Sequence, residues 1–500
     1  MKKPLLLASL AALLTPAGFA ADVVQMSAEP NTIVSTNFMG FGVQWSPYPW
    51  FDISDAAWER CFQRLDFMRV PLVRVLTRAY KYCDGFDAQG NPIYAWSNRR
   101  MQKMYRLLDY CQKRNITVII GEWDDPSSPE DRADKASDKL QSYKIDCTDP
   151  RWTRLIGGFL DHMIKDKGYT CLKYYNLINE PNGGWSHCAD FGKWKTAVNN
   201  LFAELQKRGL DKKIQLTGPD VTWMRDYYWL DRAVLECPKI LGAYDVHEYI
   251  ASEDLESGYA EKVLWQKRDY INRYDPNGRK KPFFMGEIGM NRRGPVEPQG
   301  GEDSHPKVYE HIYGVWMTDY SIQAARAGMQ GTIAWMLDDA MHINKDKDTK
   351  WPDIHKTLFK KWGFWNSLAE EIGHPEDANL RPWFYTWSLM SRYFPRGCSI
   401  IRTRNTDVEG IRTLAATIGP DGFTFCVVND SDTAREALLR APALGHPLDL
   451  RRYLYAPKDL TVDTNGFPVP REIITQADLT KGLPLTLPAR SVALLTTMGE

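Results

Sequence analysis

The sequence has no excess of charge: 63 Lys and Arg residues face 63 Asp and Glu residues. A neutral chain has no electrostatic reason to seek nucleic acid or an acidic membrane surface. Nine cysteines are present, yet none are spaced as C-x-x-C, which excludes the common zinc-ribbon and dithiol redox motifs. No G-x-G-x-x-G follows the first strand-like run, no Walker-type phosphate loop occurs, and no H-E-x-x-H is found. Dinucleotide, nucleotide and zinc-peptidase chemistry thereby lose their usual signatures, and no cofactor or catalytic metal is implied. Beyond the first twenty residues no apolar run is long enough to span a bilayer.

Those first twenty residues read as a signal peptide. Lys2 and Lys3 supply the positive region, Leu5–Leu14 the apolar stretch, and Gly18-Phe19-Ala20 the small residues a peptidase needs. The expectation is an exported chain, periplasmic or secreted, without a membrane anchor. Export permits disulfides, and an odd cysteine count leaves at least one thiol free. Cys398 and Cys426, in adjacent strand-like runs, are one pairing the sequence allows.

Aromatic residues are abundant, with 18 Trp and 24 Tyr. They suit a large core and also the flat apolar faces of sugars. From residue 37 to 393 short β-branched or aromatic runs alternate with segments of helical spacing. The runs are 38–45, 72–78, 116–122, 172–179, 213–218, 243–249, 282–287 and 331–337. Met101, Met104, Tyr105, Leu108 and Cys111 form one helical stripe. Ser97 precedes one helix, and Asp149-Pro150 opens another with a cap and a first-turn proline. Eight strand–helix units fit a closed (β/α)8 TIM barrel, with an open doubly wound sheet as the rival. Residues 394–500 change texture to strands and turns with no helical pattern, the signature of an all-β sandwich domain. Residues 21–36 are placed to give that domain an extra strand.

Active sites of such barrels lie at the carboxyl ends of the strands. The fourth run leads into Asn179-Glu180-Pro181 and the seventh ends at Glu287. Two carboxyl groups at one rim are what glycoside hydrolysis needs, one on each side of the bond to be broken. Arg74 ends the second run, His247-Glu248-Tyr249 the sixth, and Trp335 the eighth. Aromatic residues in the rim loops include Trp45, Tyr48, Trp50, Trp123, Trp185 and Trp223, each reading equally as packing or as sugar stacking. Glu122 and its neighbours Trp123-Asp124-Asp125 are polar enough to hold sugar hydroxyls. Asn344, Asp346, Asp348 and Asp353 lack calcium-loop spacing and read as a solvated loop.

Over residues 37–393 these positions, in this order, resemble glycoside hydrolase clan A, most closely the cellulase-type family 5. Arg381-Pro382-Trp383-Phe384-Tyr385 and the ending Leu487-Pro488-Ala489-Arg490-Ser491-Val492 also resemble the barrel-plus-sandwich families 30 and 39. The resemblance implies a retaining hydrolase acting on oligo- or polysaccharides. Glu180 would be its acid/base and Glu287 its nucleophile. Asn179 would bond the sugar 2-hydroxyl, and Arg74 and Tyr249 would keep Glu287 ionised. His247 would position substrate or Glu180, and Trp335 would floor the site, with Trp45, Glu122, Trp123 and Trp185 as further substrate contacts. Many family 5 members carry a His near Glu122, where this chain does not. The competing reading is a non-catalytic carbohydrate-binding protein on the same barrel.

Overall fold

The computed structural model describes residues 23–127, 145–223, 226–291, 303–344, 353–405 and 408–499. The expected signal peptide, and Asp346 and Asp348 of the acidic loop, lie outside the described residues. Eight parallel strands close into a barrel. They are β1 (Gly40–Gln44), β2 (Leu72–Thr77), β3 (Thr117–Glu122), β4 (Leu172–Asn176), β5 (Gln215–Val221), β6 (Leu241–Ile250), β7 (Phe283–Met290) and β8 (Gly331–Ala334). Each has a helix after it: α1 (Asp55–Met68), α2 (Arg99–Lys113), α3 (Pro150–Asp161), α4 (Phe191–Lys207), α5 (Tyr228–Glu236), α6 (Tyr259–Tyr274), α7 (His311–Arg326) and α8 (Pro382–Tyr393). The eight runs read from the sequence correspond one to one with these strands, and the doubly wound alternative is excluded by closure. Asp149 caps α3 from its side chain, with Pro150 in the first turn. The cap of α2 is Asn98, one residue later than Ser97. Among the described residues no helix is long and apolar enough to cross a membrane.

Period-two alternation decides what faces the lumen. Leu72, Ile119, Tyr174, Ala243, Phe284 and Ile333 make an apolar plug inside the barrel. One layer nearer the strand ends, the same faces carry Arg74, Asn176 and Asp245. Along these three strands the lumen therefore changes from hydrocarbon to polar or charged side chains within two residues.

The C-terminal strands form a curled ten-stranded sheet around a second core of Phe425, Val427, Leu439, Leu450 and Leu495. Val24–Ser35 lies in this sheet, antiparallel to Ser399–Asn405 and parallel to Arg435–Arg440. The sheet packs on the barrel through a continuous core: Ile400, Leu414, Val428 and Leu494 join the barrel's outer layer. Tyr393 and Tyr453 share a hydroxyl hydrogen bond of 2.5 Å, and Arg412 donates to the buried Asp319 at 2.6 Å. The Cys398–Cys426 pairing is ruled out by register. Ser399 aligns through Thr417 with Phe423, while Cys426 lies opposite Leu414. A strand and about four residues of offset separate the two cysteines, roughly 15 Å between Cα atoms, whereas a disulfide spans at most about 7 Å.

Candidate active site

Glu287 owes its orientation to a bulge. Phe284 points into the lumen, so strict alternation would turn Glu287 outward. The pairing with β6 instead slips at Gly286: Met285 lies opposite Val246 and Glu287 opposite His247. The extra residue re-aims the following side chain, a common use of bulges beside sites. Only glycine fits there, since a Cβ on Gly286 would meet Asp245 Oδ1 at 2.3 Å. Glu180 is set by a different device. It adopts a left-handed backbone, φ 47°, which a residue with a Cβ rarely takes without a demand from its surroundings. The peptide is fixed on both sides: Glu180 N–H donates to Asp220 O at 3.1 Å, and Asn179 N–H to Glu122 O at 2.9 Å.

The two glutamates meet across the barrel mouth, a carboxylate oxygen of each within 4.8 Å of the other. Tyr249 Oη donates to Glu287 Oε1 at 2.5 Å, and Arg74 Nη1 to Glu287 Oε2 at 3.1 Å. Arg74 Nη2 also donates to Asn179 Oδ1 at 2.7 Å and Asp220 Oδ2 at 2.8 Å. Glu180 accepts from Trp185 Nε1 at 2.8 Å and faces His247 Nδ1 at 3.1 Å. The other ring nitrogen of His247 faces Asp220 Oδ1 at 3.0 Å.

Charge counting explains how so many ionisable groups coexist in a buried site. Burial opposes the charge on Asp220, but Arg74 and His247 hold its carboxyl well below the usual range. Burial pulls His247 down, and Asp220, opposed by Arg74, leaves it well above the ordinary histidine value. Asp245, fully buried and next to Asp220, is pushed far upward and carries its proton. Arg74 and the imidazolium of His247 thus face Asp220 and one further negative charge, to be divided between two glutamates. Two unit charges about 5 Å apart at an effective dielectric of about 20 repel by roughly 3 kcal/mol, so the pair shares one proton. Burial raises Glu287 to about 7; Glu180 adds to this, while His247, Arg74 and Tyr249 pull down. Arg74 and Tyr249 do contact Glu287, but burial outweighs them.

Three carboxylate or imidazole ligand atoms converge twice here, as Glu180–His247–Glu287 and as Asp220–Asp245–His247. Neither set suits a cation. Both nitrogens of His247 already have partners, and the Arg74 guanidinium, in contact with Glu287 and Asp220, supplies the local positive charge.

The remaining expected residues divide by which face of the strand they occupy. Asn179, His247, Tyr249 and Trp335 lie with the glutamates. The chain passes from Trp335 to Met336 through a cis peptide bond. Trp335 stacks on His342 at 4.9 Å and meets Trp123 edge-on at 5.9 Å. Trp185 is half exposed and packs edge-on against Trp223, also half exposed, at 5.8 Å. Trp45 and Glu122 are corrections. Both fall on the outer face of their strands, because Ile119 and Gln44 take the lumen positions. Trp45 is fully buried against Trp58, Phe62 and Tyr110 of α1 and α2. Glu122 accepts from Tyr82 Oη at 2.7 Å and Tyr175 Oη at 3.1 Å, and burial lifts it to about 7. Tyr48 is buried too, its hydroxyl bonded to Asp338 at 2.9 Å.

Sequence reading missed Asp220, Asp245 and His342. The fifth run was ended at residue 218, so Asp220, at a strand terminus like the others, fell outside it. Asp245 precedes His247 by two and shares its lumen face, a signal the alternation rule could have caught. His342 follows β8 in a loop, where periodicity says nothing.

Residues 31–340 match the family model described as cellulase (glycosyl hydrolase family 5). No curated protein matches the sequence. Among solved structures, a conserved exported protein from Bacteroides fragilis is similar at TM-score 0.62 and 13% identity, covering 94% of this chain and 100% of its own. A GH39 enzyme from Xanthomonas axonopodis pv. citri is similar at TM-score 0.61 and 14% identity, covering 97% and 99%. A glycoside hydrolase family 30 subfamily 8 xylanase from Clostridium acetobutylicum is similar at TM-score 0.60 and 13% identity, covering 95% and 99%. At such identities the structural likeness carries the fold, a barrel with an appended β domain.

Proposed function

We propose, for a chain that belongs to glycosyl hydrolase family 5, that it hydrolyses β-linked glycosides with retention of configuration, Glu287 acting as nucleophile and Glu180 as acid/base. The observation that carries this reading is the carboxylate separation. Retaining enzymes hold their two carboxyl groups about 5–5.5 Å apart, whereas inverting ones need roughly 6.5–9.5 Å to admit a water. Here a carboxylate oxygen of each glutamate comes within 4.8 Å of the other, which supports the closer spacing.

The roles follow from what each carboxylate touches. Both oxygens of Glu287 are held by donors, Tyr249 on one and Arg74 on the other, so the attacking atom is aimed before substrate arrives. Glu180 is held by Trp185 and His247 on the side of the half-exposed Trp185–Trp223 pair. That open aromatic edge suits the departing part of a glycan, beside the group that protonates it. In the first step Glu287 attacks the anomeric carbon, the glycosidic bond breaks, and the proton of Glu180 goes to the leaving oxygen. In the second, Glu180 takes a proton from water, which displaces Glu287 from the sugar. The pair holds one proton throughout, which is the count its surroundings favour. Asn179, fixed by Arg74, faces the sugar 2-hydroxyl, and Trp335 lies under the ring.

Export accompanies this reading. Lys2, Lys3 and the apolar stretch after them support it, as does a structural neighbour that is itself described as exported. The substrate is an oligo- or polysaccharide outside the cytoplasm. The test is proton NMR of the first-formed product on a panel of aryl β-glycosides and β-linked polysaccharides. Initial release of the β-anomer supports the proposal. Initial α-anomer means inversion, and no turnover on any member of the panel removes the enzymatic reading.

A further inference from the structure

All nine cysteines are buried as thiols, and two of them are held together at the rim. Cys147 precedes α3, in the connection from β3, and Cys188 lies in the connection from β4 to α4, eight residues after Glu180. One residue links the two segments. The Asp125 carboxylate accepts from Cys147 N–H at 3.0 Å, while Asp125 N–H donates to Ser186 O at 2.9 Å. Ser186 Oγ in turn accepts from Cys188 N–H at 3.3 Å. The side chains of Cys147 and Cys188 face each other, both beside the Asp125 carboxylate.

We propose that Cys147 and Cys188 are a disulfide site, oxidised when the protein meets an extracytoplasmic thiol–disulfide couple. The co-reactant is a disulfide, either small-molecule or the active-site disulfide of an oxidoreductase. One protein thiolate attacks it, forming a mixed disulfide and releasing one thiol. The second protein thiolate then displaces the other. Two protein thiols lose two electrons and two protons, and one disulfide is reduced to two thiols.

The bond would fix the connection that carries both functional groups of the fourth strand end. Glu180 and Trp185 lie on the chain between Asn179 and Cys188, and this stretch is otherwise tied to the connection after β3 by the Asp125–Ser186 hydrogen bond. Closing a loop of about 40 residues limits the unfolded chain; for a protein of this size that amounts to a Tm gain of about 4 °C.

The test uses the full mature chain, purified after export and again after reduction, treated with oxidised glutathione or left alone. Thiols are alkylated in denaturant and counted by mass, and peptides are mapped without reduction. The expected result is seven alkylatable thiols in the exported and the glutathione-treated protein, with one linked peptide joining Cys147 to Cys188. Cys147→Ser and Cys188→Ser each lower Tm by about 4 °C, as reduction does, and the double variant loses no more. Nine free thiols after both treatments, or a linked peptide joining other cysteines, overturns the assignment. Because the readout is covalent, it stands whether or not the glycosidase reading does.

Discussion

Replacing Glu287 by Gln should remove a destabilising term that grows with pH. Burial lifts the Glu287 carboxyl from 4.5 to about 7, so the folded state prefers its protonated form. For an acid raised in this way, the favourable contribution is complete below pH 4.5 and is lost as pH climbs through 7. A displacement of about 2.5 pH units corresponds to roughly 3 kcal/mol between those limits. Gln keeps an acceptor for Arg74, can donate its amide N–H to the Tyr249 hydroxyl oxygen, and has no proton to lose, so the variant escapes the penalty. With an unfolding entropy of about 2.1 cal/mol/K per residue over 500 residues, each kcal/mol is worth about 1 °C. The Tm of Glu287→Gln relative to wild type should therefore rise by about 3 °C between pH 5 and pH 8. Scanning calorimetry of both proteins at matched ionic strength measures the difference. Curves that stay parallel across that range would show that Glu287 is ionised at little cost, and the charge count above would fail.

The pair's shared proton sets an alkaline limb: kcat/KM should fall as pH rises through about 7, because the one proton the two carboxyls hold is then lost and none remains for the leaving oxygen, and Arg74→Met should move that limb upward. A profile with no alkaline limb in wild type contradicts this. Tyr249→Phe, which removes the hydroxyl on Glu287 Oε1, should cut kcat by about 100-fold with KM nearly unchanged; a change confined to KM would place Tyr249 in ground-state binding. Trp185→Phe, which removes the indole donor on Glu180 Oε2, should lower kcat/KM about tenfold for glycosides with poor leaving groups. It should spare kcat/KM for dinitrophenyl glycosides, whose first step needs no proton, and equal losses on both would break the link to acid catalysis.

The barrel was readable because each strand is short, β-branched and followed by a segment of different period, so eight units could be counted without a single contact. The two candidate glutamates could be picked out because strand ends carry function in this architecture. What the sequence could not show was which way a side chain at a strand end points. Trp45 and Glu122 look like rim residues by position, yet alternation turns them into the layer between strand and helix. Glu287 would have been lost by the same rule, had the bulge at Gly286 not reversed it. Some strands of the β domain run against the preferences of their own residues. Arg435–Arg440 is rich in helix-forming residues, and its strand state comes from pairing on both sides. Leu483–Leu487 contains Pro484, which discourages a strand reading; the strand lies at the sheet edge, where proline is tolerated. Asp220 was hidden because its importance is electrostatic. It binds Arg74 and His247 at once, and no motif marks a residue that acts through two others.

The division of labour between Glu180 and Glu287 is the centre of this account, and azide rescue tests it most directly. A dinitrophenyl β-glycoside needs no proton for the first step, so Glu180→Ala should form the covalent intermediate and then stall. Azide is small and needs no general base, and it should restore turnover and release a β-glycosyl azide. In Glu287→Ala azide should enter the vacated face directly and give the α-azide. These anomers follow from which side of the sugar each carboxylate occupies, whatever the sugar is. NMR of the two products should show β from Glu180→Ala and α from Glu287→Ala; the reverse pairing would mean that the roles are exchanged.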